Sequence, residues 1–418
     1  MAKIQSVTAK EIIDSRGNPT LEVCCTLSRG GVMAKASVPS GASTGVHEVL
    51  ELRDHDQSRY GGLGVLRAIE NVNTEIYESI KDKDFDQTSL DMALIQRDGT
   101  ENKSRLGANA LLGVSLAFAR ACAEEQKVEL YEYLGGLGST MTFKLPQPMF
   151  NVINGGKHAD SGLDIQEFML APIGFDSFRR KVQATGEIIL SLKKILKSKG
   201  YTTSVGDEGG FAPRLTTSEE ALELIEEAIV AANYTLDQVK IAIDAAASSF
   251  YKNGIYRLKI AGESADRTTN QVIDWYEELI ERHPIISIED GLAEDDWEGF
   301  VEMRKRLGDK IKIVGDDLTV TNSKRIQVAI DKQAINAVLI KPNQIGTLTE
   351  TIEAIQLTKK QGWSPFVSHR SGDTTDTFIA DLAVGLASDY IKSGSLVRAE
   401  RVCKYNRLME IEDIINNK

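Results

Sequence analysis

The chain has 418 residues, of which 42% are hydrophobic and 26% charged, and its formal net charge is −12. This length predicts two domains, one of them a large barrel. The negative charge opposes direct nucleic-acid binding, which needs a basic surface, but it allows a small anionic substrate held by a local cluster of cations. The four cysteines form no C-x-x-C pair, so the sequence has no zinc or redox signature and is typical of a reducing compartment.

Export and membrane signals are not found in the sequence. The N-terminal residues lack the apolar core of a signal peptide. The most apolar stretch, residues 108–123, is interrupted by Arg120 and is shorter than the roughly 20 residues that span a bilayer. We therefore expect a cytoplasmic protein that does not insert into membranes.

The first part of the chain has strand patterns followed by helix patterns. Residues 20–27 and 32–38 are rich in β-branched and alternating apolar residues, which is typical of strands. Residues 64–80 and 108–134 have apolar residues at helical spacing. Strands followed by helices predict an α+β domain.

A glycine-rich segment at residues 135–139 predicts a loop and a domain boundary, with an N-terminal domain over residues 1–138 and a C-terminal domain over residues 139–418.

In the second domain, five short apolar runs each end at a polar residue, and helix patterns separate most of them. The end residues are Asp244, Glu289, Asp316, Lys341 and His369. Repeated strand–helix units predict a barrel of parallel strands, in which catalytic side chains lie at the carboxyl ends of the strands. We therefore expect these five side chains around one mouth.

Three of the end residues, Asp244, Glu289 and Asp316, are carboxylates. Oxygen ligands suit a hard cation such as Mg²⁺, which binds few protein carboxylates and keeps positions open for water and substrate. Any one of them alone is more often a solvated or helix-capping acid. Three at one level of a barrel favour a metal site, because without a cation they would repel one another.

Lys341 directly follows an apolar strand pattern. A lysine serves there as a general base only if its pKa is lowered, which neighbouring cations such as Mg²⁺ and Lys392 would do. The alternative is an ordinary lysine that extends from a strand end. Lys392 itself could pair with a carboxylate.

Glu167 and Glu208 are candidates for an acid pair. Glu167 follows an alternating strand pattern, and Glu208 lies in a glycine-rich segment whose backbone can approach another group closely. Two adjacent carboxyl groups can share a proton, so that one acts as a general acid near neutral pH. Sequence spacing does not show whether the two side chains meet.

Three further segments have loop compositions with more than one interpretation. Residues 369–372, His-Arg-Ser-Gly, lie ahead of a predicted helix and suit either a phosphate or a polar turn. Residues 39–45 are small, polar and glycine-rich, which suits either a mobile lid or a tight structural loop. His158 is alone in a turn, where a histidine is more often structural.

The sequence resembles enolases, particularly bacterial ones, over nearly its whole length. The segments that carry the resemblance are DSRGNPT (14–20), SVPSGASTG (37–45), GTENKSRLGANA (99–110), INGGKHAD (153–160), DIQEFM (164–169), GDEGGFAP (206–213), SIEDGL (287–292), VGDDLTVTN (314–322), LIKPNQIGT (339–347) and SHRSGDTTDTFIADLAVG (368–385). The resemblance implies an N-terminal α+β domain and a C-terminal α/β (TIM-like) barrel whose opening differs from regular alternation. It also implies a Mg²⁺-dependent hydro-lyase that interconverts 2-phosphoglycerate and phosphoenolpyruvate in glycolysis and gluconeogenesis.

The resemblance assigns a role to each candidate residue. The ligands of the first Mg²⁺ in the family are matched by Asp244, Glu289 and Asp316. Ser43 matches a lid residue that reaches a second Mg²⁺, which arrives with substrate. Lys341 matches the base that takes the proton from C2, and Glu208, with Glu167, matches the acid that helps the C3 hydroxyl leave. The implied substrate contacts are His158, Glu167, Glu289, Asp316, His369, Arg370, Ser371 and Lys392, and His158 also matches a catalytic histidine on a closing loop.

The resemblance further implies a homodimer or a dimer-based octamer. Leu63 and Glu410 depart from the family pattern, which commonly has a lysine and an arginine there. In relatives that arginine meets a partner-subunit glutamate in a position resembling Glu22, so two glutamates would repel, and we expect a dimer with rearranged contacts. Enolases are also reported to join RNA-processing assemblies, to bind host proteins through lysines, of which Lys418 is terminal here, and to have a secondary cell-surface or secreted pool.

Two other functions fit parts of the sequence. An acid-sugar dehydratase or racemase of the same superfamily generally lacks the SHRSG and SGASTG segments, and both are present here. An interaction protein with a vestigial site should have lost at least one metal or acid–base residue, and none is lost. Enolase activity is therefore the interpretation that the sequence favours.

Overall fold

The computed structural model describes residues 1–42, 44–140, 142–159, 161–260 and 263–417. Its strands are β1 (Ala2–Ile13), β2 (Pro19–Leu27), β3 (Met33–Ser37), β4 (Asp84–Phe85), β5 (Gln147–Asn154), β6 (Glu167–Pro172), β7 (Val239–Asp244), β8 (Tyr251–Lys252), β9 (Ile255–Ile260), β10 (Glu263–Arg267), β11 (Ile285–Glu289), β12 (Lys312–Gly315), β13 (Ala337–Ile340), β14 (Ser364–Ser368) and β15 (Tyr390–Lys392). Its α-helices are α1 (Leu66–Asn71), α2 (Tyr77–Ile80), α3 (Gln87–Asp98), α4 (Ala108–Gln126), α5 (Leu130–Leu137), α6 (Phe178–Ser198), α7 (Ser218–Ala231), α8 (Thr269–Arg282), α9 (Trp297–Leu307), α10 (Ser323–Lys332), α11 (Pro342–Ile345), α12 (Leu348–Lys360), α13 (Phe378–Gly385) and α14 (Ala399–Asn416).

The N-terminal part is an antiparallel sheet, ordered β3-β2-β1-β4, with helices packed on it. Helix α4 buries nearly all of its residues, because it packs on β2 and β3 and also contacts α11 and α12 of the C-terminal part. A side chain at Gly113 would place its Cβ 2.4 Å from Val23, so this glycine permits the close approach of helix and sheet. The predicted α+β class is confirmed.

Three details of the N-terminal prediction were wrong or incomplete. Strand β1 was not predicted, because polar residues occupy its exposed face. The helix predicted over residues 108–134 is two helices, since Lys127 adopts a left-handed conformation that ends α4. Gly135 and Gly136 lie inside α5, so the loop predicted at residue 135 starts only after Leu137. The domain boundary at residues 138 and 139 stays a prediction.

The C-terminal part contains a closed barrel of eight strands in the order β11-β12-β13-β14-β15-β5-β6-β7. Strand β6 runs antiparallel to both of its neighbours, and the remaining neighbours are parallel. The expected α/β barrel is confirmed, including its irregular opening. Because β6 is reversed, its first residue lies at the same mouth as the last residues of the other strands.

Apolar side chains fill the barrel below this mouth. They are Met149, Met169, Ala171, Ala242, Val314, Ala337, Leu339 and Phe366, and Ile286 and Tyr390 pack against them. The rings of Phe366 and Tyr390 are stacked, with centroids 4.1 Å apart. The interior is therefore a packed floor, and polar chemistry is confined to the layer above it.

Glu22 and Glu410, which were expected to repel across a subunit interface, each have cations within the same chain. The Glu410 carboxylate lies 2.9 Å from Arg407, three residues earlier on α14. The Glu22 carboxylate lies 3.1 Å from Lys10 and 3.4 Å from Lys35 on the adjacent strands. Local ion pairs therefore reduce the charge that either residue would present to a partner.

Candidate active site

Side chains alternate between the two faces of a β-strand, and this alternation places the charged side chains at the mouth of the barrel. Successive inward positions on a strand are two residues apart, so each apolar floor residue is paired with a residue one layer higher. The floor residues Ala242, Leu339, Val314 and Met169 lead in this way to Asp244, Lys341, Asp316 and Glu167. In β11 the register shifts between Ile285 and Ser287, which aligns Glu289 with Asp244.

Lys392, at the end of β15, is the centre of a buried ion cluster. Its Nζ lies 2.9 Å from Asp244 Oδ2, 2.9 Å from Glu289 Oε1 and 3.1 Å from Glu167 Oε1. Burial disfavours the ammonium, but the three carboxylates outweigh burial and raise the pKa of Lys392 well above its usual value. The expected pairing of Lys392 with a carboxylate is confirmed.

Lys341 and Asp316 form a second ion pair, with Nζ 2.5 Å from Oδ2. Burial, Arg370 and Lys392 lower the pKa of Lys341, but Asp316 outweighs them and the net change is upward. While it contacts Asp316, Lys341 therefore lacks the lowered pKa that a general base needs. Gln344 Nε2 donates to the other oxygen of Asp316 at 2.9 Å and so fixes the carboxylate.

Asp290 and Asp317 extend the acidic cluster and were missed by the sequence reasoning. One ligand atom from each of them and from Asp316 lies within 4.8 Å of the others. Asp290 accepts backbone N–H groups of Asp316 and Asp317 at 2.9 and 2.8 Å, so its carboxylate shapes the turn after β12. Burial, together with Asp316, raises the pKa of Asp317 to about 7. Each directly follows a predicted ligand in the sequence, which was the available signal.

Sequence spacing could not show whether Glu167 and Glu208 are close together. In the structure, both carboxylates lie close to His158. His158 Nδ1 is 3.5 Å from Glu167 Oε1 and 3.6 Å from Glu208 Oε1. Burial and the nearby Glu208 charge raise the pKa of Glu167 well above its usual value. Burial also opposes ionisation of Glu208, but His369 and His158 outweigh it and hold the pKa of Glu208 well below its usual range. These opposite pKa shifts favour a single proton shared by the two acids and held mainly by Glu167.

His369 is held in one tautomer by Arg401, a fully buried side chain that sequence reasoning missed. Arg401 Nη1 donates to His369 Nδ1 at 2.6 Å, so the ring proton is on Nε2. That nitrogen lies 3.3 Å from Glu208 Oε2. Burial lowers the pKa of His369 to about 4, which keeps the ring neutral near pH 7. No local pattern linked Arg401 to His369, which lies 32 residues earlier.

Arg370 faces the loop at residues 39–50 and is buried. Its Nη1 and Nη2 donate to the two carboxylate oxygens of Glu48 at 2.9 and 3.1 Å, and Nη1 donates to Asn343 at 3.1 Å. The helix predicted after residues 369–372 is α13, which begins at Phe378. Arg370 is therefore positioned by two loops from other parts of the chain.

The loop at residues 39–45 contacts the Arg370 segment directly. Ser40 and Gly372 form an antiparallel bridge, and the Ala42 N–H donates to Ser371 Oγ at 2.7 Å. A Cβ on Gly372 would lie 2.7 Å from the Ser40 carbonyl oxygen, which explains why a glycine is needed there. Ser43, the residue predicted to reach a second Mg²⁺, lies outside the described residues.

These side chains line one cavity at the barrel mouth. Its lining contains Asp244, Asp316, Lys341, His369, Arg370, Ser371, Lys392, His158, Glu167 and Glu208. Glu289 joins them through Lys392. The structure thus brings together every described residue that the sequence predicted for the site.

Family comparisons agree with this geometry. Residues 4–134 match the family described as enolase, N-terminal domain, and residues 142–418 match enolase, C-terminal TIM barrel domain. The chain belongs to the enolase family. It is also 54% identical over 413 residues to Enolase 1 of Methylococcus capsulatus, covering 98% of this chain and 97% of the relative.

Enolases are hydro-lyases, and membership identifies this chain as an enzyme of that class with a metal cofactor and a small-molecule substrate. The described residues fit a cation. Buried carboxylates outnumber the nearby cations, which are Lys341, Arg370 and Lys392. Crowding of negative charge, added to burial, also raises the pKa of Glu289 and Asp290 well above their usual values. Such a set of hard oxygen donors suits a divalent ion.

The described helices of this enolase-family chain include none that is long and apolar enough to cross a membrane.

Proposed function

We propose that this chain catalyses the reversible, Mg²⁺-dependent dehydration of 2-phospho-D-glycerate to phosphoenolpyruvate. The observation that carries the proposal is the placement of a lysine and an acid pair on opposite walls of one buried cavity. Lys341 follows β13 and Glu167 begins β6, and these strands are four apart in either direction around the eight-stranded barrel. A substrate between them can lose a proton on one side and a hydroxyl on the other.

Asp244, Glu289 and Asp316 are the residues that would hold the first Mg²⁺, and Ser43 would contribute to a second one that arrives with substrate. When bound, the metal would supply positive charge for the negative charge that develops beside the substrate carboxylate. In this structure Lys392 and Lys341 neutralise the same carboxylates, so the cluster is held together by lysines.

Lys341 acts as the base for the proton on C2. Its contact with Asp316 must first be broken, since that carboxylate is what raises the lysine pKa. Burial, Arg370 and Lys392 then favour the neutral amine that can accept a proton, and they are opposed by the Glu289 carboxylate, which would itself hold the metal. The same cations face the enolate as it forms, which limits the cost of its charge.

Glu208, with Glu167, supplies the proton that lets the C3 hydroxyl leave as water. The pair carries one proton between two buried carboxyl groups, so a donor is available at neutral pH. His158 lies between the two acids and His369 is next to Glu208, so both hold the acid side of the cavity. Arg370 and Ser371 bind the phosphate, since a forked guanidinium suits two phosphate oxygens.

The test is ultraviolet detection of phosphoenolpyruvate formed from 2-phosphoglycerate by the wild type and by Lys341→Ala, with and without EDTA. We expect EDTA to abolish the rate and the substitution to remove nearly all turnover while the circular dichroism spectrum stays unchanged. Lys332→Ala, which removes an exposed lysine from the end of α10, is the matched control and should keep full activity. A robust rate in EDTA, or turnover only of unphosphorylated sugar acids, would contradict the proposal.

A further inference from the structure

Asn151 on β5 contacts both members of the acid pair. Its Nδ2 lies 3.0 Å from Glu167 Oε2 and 3.3 Å from Glu208 Oε2, and its side chain is fully buried. The three residues come from β5, β6 and the loop before α7, separated by 16 and 57 positions in the sequence. One amide group therefore links two carboxyl groups that the chain brings together from distant segments.

The position of Asn151 follows from the barrel. Met149, two residues earlier, belongs to the apolar floor, so Asn151 faces inward one layer higher. It pairs with Met169, and the register then shifts, so that Asn154 pairs with Glu167. Asn151 consequently lies beneath the acid pair, on the side away from the cavity opening.

Gly210 leaves the space that this amide needs. A Cβ at Gly210 would lie 2.3 Å from Asn151 Oδ1, closer than any real contact, and 2.6 Å from Asn154 Oδ1. Asn151 Oδ1 is buried and has no hydrogen-bond partner among the described groups, so only Nδ2 anchors the side chain. The amide is therefore held in place by the two acids and by the absence of a side chain at residue 210.

We propose that Asn151 is a positioning residue for the dehydration step, holding Glu167 and Glu208 at the separation at which they can share and deliver one proton. The inference rests on the proposed function of the acid pair. An amide N–H donates to each carboxyl group without adding charge, so it holds both acids together, whereas an aspartate would repel them and an alanine would leave them free. Asn151 has no described hydrogen bond to Lys341 and acts only on the acid side.

The test separates the two halves of the reaction in the full-length chain with Mg²⁺. Proton removal at C2 is followed by exchange of that hydrogen for solvent deuterium in 2-phosphoglycerate, measured by NMR, and dehydration is followed by phosphoenolpyruvate absorbance. For Asn151→Ala we expect dehydration to fall about 10- to 100-fold, a part of what general acid catalysis contributes. Exchange at C2 and KM should stay within about threefold, because the base side is untouched. Asn151→Asp should reduce dehydration further.

Gly210→Ala provides a second route, since its new Cβ would displace the Asn151 amide, and also crowd Asn154, without substituting either acid. It should give the same separation of the two rates even if the Asn151 variants fold poorly. Asn109→Ala removes a buried amide that bonds Leu52 in the N-terminal part, and it should leave the ratio of exchange to dehydration unchanged.

Equal loss of exchange and dehydration in the folded Asn151 and Gly210 variants would overturn the inference, as would unchanged dehydration. A wild-type chain that forms no phosphoenolpyruvate would instead refute the proposed function, so the two failures are distinguishable.

Discussion

Substitution of Arg401 tests whether buried residues outside the cavity hold the site residues in position. Its Nη1 donates to His369 Nδ1 and to the Arg370 carbonyl at 2.6 and 2.5 Å. Its Nη2 donates to the carbonyls of Ser371 and Asp207 at 2.6 and 3.2 Å. Arg401→Met keeps much of the side-chain volume and leaves these buried acceptors without their donor.

The expected cost follows from those contacts. A hydrogen bond from a charged donor contributes about 1.5–3 kcal/mol, but the four share one side chain and do not add. Removing one side of a buried charged network costs about 3–5 kcal/mol, and we expect a loss of that size. For a domain of barrel size this corresponds to a fall in Tm on the order of 5–10 °C.

The same substitution changes how His369 titrates. Burial and then the Arg401 charge lower the pKa of His369, to about 4. Because the unfolded histidine titrates near its ordinary value of about 6.5, this residue makes the wild type lose stability as pH falls from about 6.5 to about 4. Without Arg401, the pKa of His369 in the folded protein should rise, so the loss of stability at low pH should become smaller.

The assays are thermal unfolding followed by circular dichroism between pH 4 and 8, and NMR titration of the His369 ring protons. At neutral pH the dehydration rate should also fall, because His369 can change tautomer and release Glu208. Arg306→Met, which removes a partly exposed cation of α9 that pairs with two acids of α8, is the control and should cost about 1 kcal/mol or less. An unchanged Tm together with an unchanged His369 pKa would refute the reasoning.

Three further outcomes are expected. Asp290→Ala should weaken Mg²⁺ binding about 10- to 100-fold in calorimetry, because the backbone N–H groups of Asp316 and Asp317 lose the carboxylate oxygens that accept from them; unchanged affinity would count against this role. Mg²⁺ at about 100 times its Kd should stabilise the fold by about 2.7 kcal/mol, seen as a higher Tm, and Asp244→Asn should remove most of that gain; equal gains in both proteins would argue for another metal site. Sedimentation at micromolar concentration should show a homodimer despite Glu410, since Arg407 pairs with that residue within the chain; a purely monomeric profile would contradict this prediction.

The site residues that were predictable are those that a strand presents directly. Asp244, Glu289, Asp316 and Lys341 each end an apolar run, and the barrel brings such ends to one mouth. Their chemical types then indicate a cation and a base. The short apolar runs and the repeated strand–helix units were enough for this step, because both can be recognised from neighbouring residues.

The contacts that could not be predicted join distant segments. A glycine-rich loop brings Glu208 close to His158 and Glu167, and Glu48 contacts Arg370 across 322 positions. Arg401 and Asn151 act behind the cavity, and no local motif distinguishes them from ordinary buried polar residues. The break after Gln126 was missed for a related reason, since a lysine in a left-handed conformation has no clear sequence signal.

The reversed direction of β6 determines which loops can change in sequence or length without moving the rest of the site. The first residue of β6, rather than its last, borders the mouth, so residues of the hairpin connection from β5, among them His158 and Gln166, line the cavity. The proposed proton-donating wall thus combines this hairpin connection with Glu167 at the start of β6 and with the loop that carries Glu208 before α7, while Lys341 on the opposite wall lies at a strand-to-helix turn. Insertions or substitutions in that hairpin could reshape what leaves from C3 without moving the lysine, so the two halves of the chemistry are open to separate change.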